Sequence, residues 1–85
     1  MTLSDARLLG SIGVAKSLGI SLRQLYYWSD VCRVVRPQMR RHGRRVFRRF
    51  TERDVRRLRL VKEYLERGYT LRASARMSQD QAGAP

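Results

Sequence analysis

Between Arg33 and Arg59 the chain carries 12 arginines against 2 acidic residues, a net charge of +10 in 27 residues. A guanidinium donates through a planar fork that matches a phosphate or the O6/N7 edge of guanine. Arg36, Arg40, Arg41, Arg44, Arg45 and Arg48 are the candidate polyanion contacts of this run. Phosphate contacts act through counterion release; with roughly 6 of them, the slope of log K against log salt is about −5. His42, at the centre of the run, is either a plain exposed turn residue or a minor-groove or phosphate contact. A second group lies upstream, where Arg23, Tyr26, Tyr27 and Asp30 follow the i, i+3, i+4, i+7 spacing of one helical face. Asp30 is negative on that face and reads as a solvent group or as a partner for an arginine. Tyr26 and Tyr27 have a core reading beside the contact reading; Trp28 reads as core. Catalysis finds no comparable grouping. One histidine, one cysteine and scattered carboxylates form no nucleophile–base pair by spacing. Zinc spacing and a glycine-rich phosphate loop are both missing. A binding protein is expected, not an enzyme, with no cofactor and no metal.

The whole chain agrees with this chemistry. Its 85 residues amount to one domain with one modest core. The net charge is +12 and the sequence pI about 11.5. A small domain so charged repels itself until a polyanion neutralises it. Seventeen of the 19 cations are arginine, a bias to which GC-rich coding also contributes. Cys32 is alone, so it forms no intrachain disulfide, and it reads as a small structural apolar residue. No apolar run approaches the ~20 residues of a membrane span, and the N-terminus lacks a secretory pattern. The expected partner is double-stranded DNA rather than a membrane, and the expected compartment is the cytoplasm, at the nucleoid.

The elements that must position these groups are legible in outline. Residues 1–10 read as a leader, with a helical turn around Ala6 to Leu9. Ser11 to Leu18 reads as a short helix capped by Ser11, with Ile12, Ala15 and Leu18 at three-residue spacing and Gly19 as its stop. A second helix begins at Ser21 and runs to about Asp30. Ser21 and Gln24 have capping-box spacing, and Ile20 with Leu25 forms a staple. Leu22, Leu25 and Trp28 are expected on its apolar face. Together these make a helix-turn-helix. Such proteins read bases with the N-terminal end of the second helix, which makes Arg23 the first candidate reader. Arg33 to Phe50 reads as a basic β-hairpin, or wing. Val34 and Val35 open its first strand, Pro37 marks an edge position and Gly43 supplies the turn. Val46, with Phe47 or Phe50, faces the core. Glu52 to Arg67 is a helix started by Thr51 and Asp54 with a Phe50–Val55 staple, striped by Val55, Leu58, Val61 and Leu65, and stopped at Gly68. A short helix after Thr70 is expected to end near Met77, before a frayed tail at residues 78–85. The domain is thus expected over residues 11–77.

From Ser11 to Leu71, about 60 of the 85 residues, the chain resembles the DNA-binding domain of the MerR family of bacterial transcription regulators. The matching pieces are SIGVAKSLGISLRQLYYW, Pro37 and RRFTERDVRRLRLVKEYLERGYTL. The resemblance implies a mostly α fold with a small β-hairpin, a winged helix-turn-helix. It implies base reading by Arg23, Gln24 and Tyr26, a phosphate contact from Tyr27, and Arg48 as the family's wing arginine. Several departures qualify it. Tyr26 stands where the family usually has Arg. The stretch from Trp28 to Pro37 is one residue longer and has Cys32-Arg33 where the family has Gly. The wing is longer too. The chain is expected to lack the family's dimer-forming helix and effector domain, so effector sensing is not carried over. A sequence-specific transcriptional regulator is the leading function. An excisionase-like or terminase-like DNA-architecture protein is the near alternative; a basic RNA-binding protein or a protein-interaction module is more distant. Self-association on DNA is expected, and contact with RNA polymerase is left open.

Overall fold

A computed structural model describes residues 8–82. Helix α1 spans Ser11–Leu18 and starts from Gly10, whose extended backbone precedes it without a side-chain cap. Ser11 is therefore the first helical residue rather than the cap. Val14, Ala15 and Leu18 face the core, while Ile12 is exposed, so the inward face is rotated from the expected one. Gly19 ends α1 at φ +71°, and the Ile20 amide reaches back to the Ala15 carbonyl at 3.0 Å. A side chain there would be strained by the positive φ and would press on Lys62.

Helix α2 covers Leu22–Tyr26, and the hydroxyl of Ser21 accepts its Gln24 amide at 3.0 Å. Only that leg of a capping box is made here. The helix continues over Tyr27–Val31 as a π-helical turn, closed by the Cys32 amide on the Tyr27 carbonyl at 3.0 Å. An i→i+5 ring takes one residue more than an α-turn. Leu25 and Trp28 are buried; Leu22, expected beside them, is exposed because it precedes the first turn that meets the core.

The chain then reverses at Arg33, whose φ is +53°. This is the left-handed region, in which a Cβ is costly and Gly is favoured. The Val34 amide donates to the Trp28 carbonyl at 2.9 Å. Val34 and Val35 are both buried, at 1% and 4% exposure. Neighbours in a strand point to opposite faces, so two successive inward residues belong to a loop. The expected strand at Val34 is thus an irregular plug, and the strand begins at Gln38.

Strand β1 (Leu9–Gly10), strand β2 (Gln38–His42) and strand β3 (Arg45–Phe50) form an antiparallel sheet in the order β1-β3-β2. In the wing, Gln38 pairs with Arg49 and His42 with Arg45, leaving Gly43 and Arg44 as the turn, with Gly43 at φ +61°. Strand β2, just after Pro37, is an edge as expected. Leu9 pairs with Phe50. Part of the supposed leader is therefore sheet; the helical turn expected from Ala6 ends in a strand at Leu9, and its first residues lie outside those described. Phe50 is fully buried, but Val46 is 48% exposed. Val46 shares a strand face with Phe50, yet four residues at ~3.4 Å each carry it beyond the core.

Helix α3 (Glu52–Glu66) has a complete capping box. The Asp54 amide donates to Thr51 Oγ1 at 3.1 Å and the Thr51 amide to Asp54 Oδ2 at 3.0 Å. Val55, Leu58, Val61 and Tyr64 line its buried face. Gly68, at φ +99°, turns the chain into helix α4 (Leu71–Ala82), whose Ala73 amide donates to Thr70 Oγ1. This helix outruns the expected end at Met77. Ser78 is buried against α3, donating to the Ala75 carbonyl at 2.8 Å and accepting from Arg57 Nε at 3.3 Å. Residues 78–82 are therefore helix rather than tail. Residues 83–85 lie outside those described.

Candidate nucleic-acid interface

The Ser21 cap fixes where α2 begins and so which side chains fill its first turn. Arg23 and Gln24 stand exposed in its first turn. Tyr26, one turn on, is half-buried, because the guanidinium of Arg48 from β3 lies over its ring with Cζ 4.1 Å from the centroid. Arg48 also donates to Asp30, Nη2 to Oδ2 at 2.6 Å and Nε to Oδ1 at 3.4 Å. The hydrogen bond to Asp30 raises the Arg48 pKa above its ordinary value, partly offset by burial. Helix and wing thus meet at one small cluster of Tyr26, Asp30 and Arg48. Tyr27 points elsewhere and is half exposed.

A groove of about 380 Å³ runs along this junction. Ile12 and Gly13 of α1, Leu22 and Tyr26 of α2, and Val46 to Arg49 of β3 are its walls. Helix α2 and the wing therefore border a single concavity. Arg23 precedes Tyr26 by one α-helical turn, at i, i+3 spacing within α2.

Beyond the junction the wing is open. Arg40, Arg41, His42, Arg44 and Arg45 are all exposed. Arg40 donates to Gln38 Oε1 at 3.1 Å, and the His42 ring meets Phe47 edge-on at 6.2 Å. Among the described residues, the side chains of Arg41, Arg44 and Arg45 have no hydrogen-bond or ion-pair partner. Arg36 is not part of this group. It lines a separate hollow of about 650 Å³ with Arg33, Arg53 and Arg57. Burial lowers the Arg57 pKa, with Asp54 acting the other way. Arg57 donates to the Ala75 carbonyl at 3.3 Å as well as to Ser78, so it fastens α4 to α3.

Of the expected contacts, the structure brings Tyr26 and Arg48 together at one junction, while Arg23 and Gln24 stand exposed in the first turn of α2 and do not line the groove. It sets Arg40, Arg41, His42, Arg44 and Arg45 along the wing and Arg36 in a different hollow. Arg48, expected as a DNA-contacting wing arginine, is paired with Asp30, which takes the arginine-partner alternative of its two readings. Arg49, whose guanidinium lies 5.3 Å from the Phe47 ring, lines the groove without having been singled out. Its place on β3 between Arg48 and Phe50 was the only available signal.

The sequence model of the MerR HTH family regulatory protein matches residues 13–81. No curated protein matches the chain.

Proposed function

This chain belongs to the MerR HTH family of regulatory proteins, and from that premise we propose that it is a sequence-specific transcriptional regulator acting on duplex DNA at the nucleoid. A family whose members are DNA-binding regulators supports the coarse statement. The finer one rests on a single observation: α2 and the wing wall the same groove and touch through Tyr26 and Arg48. A duplex laid against that side meets both elements together. Helix α2 enters the major groove with Arg23, Gln24 and Tyr26 toward base edges, and Tyr27 reaches a phosphate. Arg40, Arg41, His42, Arg44 and Arg45 follow the flanking backbone. Phosphate contacts position the domain; base contacts specify the site.

One short reading helix covers little DNA, and helix-turn-helix proteins meet their sites as paired copies spaced by about one helical turn. Two or more copies assembling on DNA are part of the proposal.

The test is selection from a random duplex pool, followed by titration of the enriched duplex, an unrelated duplex and an RNA duplex at several KCl concentrations. The expected result is a defined enriched sequence, preference for DNA over RNA, and a log–log salt slope of about −5. Equal binding to enriched and unrelated DNA removes the base-reading assignment. Tighter binding to RNA removes the major-groove assignment.

A further inference from the structure

The acidic residue at the junction carries an assignment of its own. Asp30 sits beside the densest positive charge in the chain, where a carboxylate repels any approaching phosphate. For backbone binding alone it is a disadvantage. It is nonetheless held in place. Ser29, only 4% exposed, donates to Asp30 Oδ1 at 3.2 Å, with the Tyr26 carbonyl as a second acceptor at 3.4 Å. Asp30 in turn occupies the Nε–Nη2 edge of Arg48, the edge best suited to bidentate contact with an anion. The same guanidinium lies over the Tyr26 ring, with Cζ 4.1 Å from the centroid. The π-helical turn over Tyr27–Val31 carries Asp30 to the reach of a residue 18 positions away in sequence.

We propose that Asp30 is a specificity-determining residue, acting through Arg48 and Tyr26. Its carboxylate withdraws Arg48 from general phosphate binding. It also holds the guanidinium across one face of Tyr26, so that the ring and the free Nη1 edge of Arg48 are presented to DNA in one orientation. Both effects lower affinity for arbitrary DNA and raise the difference between a matched site and any other. This inference rests on the DNA interface proposed above. It differs from that reading in giving a negative residue the task of discrimination.

Asp30 is 43% exposed by side chain and Arg48 25%, so the pair is accessible to exchange and its loss leaves the core intact. The experiment compares wild type, Asp30→Asn, Asp30→Ala and Arg48→Ala, and Asp30→Asn in the Arg48→Ala background. Each is titrated against the duplex enriched by wild type and an unrelated duplex of equal length, across a KCl series. Thermal melts check folding.

Asp30→Asn is expected to bind the unrelated duplex several-fold more tightly. Its salt slope should steepen by about 0.9, the value of one further phosphate contact. The ratio of matched to unrelated affinity should fall about fivefold to tenfold, at the low end of one base contact. Asp30→Ala, which removes the acceptor altogether, should do the same or more. In the Arg48→Ala background the Asn substitution should leave the ratio unchanged, because the effect runs through Arg48. A wild-type ratio and slope in both Asp30 variants overturn the assignment, as does an equal loss of affinity for both duplexes. If wild type itself shows no preference, base reading fails and takes this inference with it. If wild type discriminates and the Asp30 variants discriminate equally, only this inference falls.

Discussion

The base of the wing and its tip carry the same residue type in opposite conditions. At the base, Arg48 has a carboxylate along one edge and lies over an aromatic ring. At the tip, Arg41, Arg44 and Arg45 extend into solvent without side-chain partners among the described residues. A guanidinium of the first kind has lost its rotamer freedom before DNA arrives, so it can hold a neighbouring side chain in register. One of the second kind keeps its freedom and adjusts to whichever phosphate is near. Fixed arginines suit discrimination, and free ones suit affinity and its salt dependence. On the proposed interface, one 27-residue run rich in arginine thus divides into two tasks according to what each guanidinium touches.

The most severe way to break this contrast is to dissolve the frame that sets base against tip. Leu58 is fully buried under the sheet and helices. Leu58→Ala is expected to cost about 2–5 kcal/mol in urea denaturation. Near the melting point the two classes of arginine should then behave alike, with one common salt response. A stability loss below about 1 kcal/mol would show that the core relaxes around the cavity.

A smaller effect sharpens the reading-helix side. Arg23→Ala should lower discrimination between matched and unrelated duplexes by about 1–3 kcal/mol, with less change in affinity for unrelated DNA. Equal weakening on both duplexes would move Arg23 into the class of the wing tip. Arg44→Ala with Arg45→Ala should do the converse. Binding to every duplex weakens, the salt slope becomes shallower by about 2, and the preference between duplexes is retained. A changed preference would place these residues among the readers.

The smallest expected effect concerns the loop that joins helix to wing. Arg33 holds a left-handed backbone that costs a non-glycine residue about 1–2 kcal/mol. Part of the relief from Arg33→Gly is returned as unfolded-chain entropy. The expected gain is therefore about 0.5–1 kcal/mol by thermal melting, with DNA preference unaltered. Loss of preference without loss of stability would tie the loop to the junction it supports.

Local chemistry is what could be read from the order of residues. A serine three positions before Gln24, a threonine three before Asp54, and glycines at 19, 43 and 68 act within one turn of chain, and the structure uses each at the expected place. The density of arginine needs no fold to be seen. The sheet's outer strand at Leu9–Gly10, the plug of Val34 and Val35 and the exposure of Val46 depend on where distant segments close on one another. Inward and outward are properties of an assembled core, and no spacing rule supplies them for a strand that outruns it. The pairing of Asp30 with Arg48 is of this second kind. Asp30 could be assigned an arginine partner from its charge, but the partner's identity required a π-helical turn, a left-handed reversal and a hairpin register to bring two side chains within 2.6 Å.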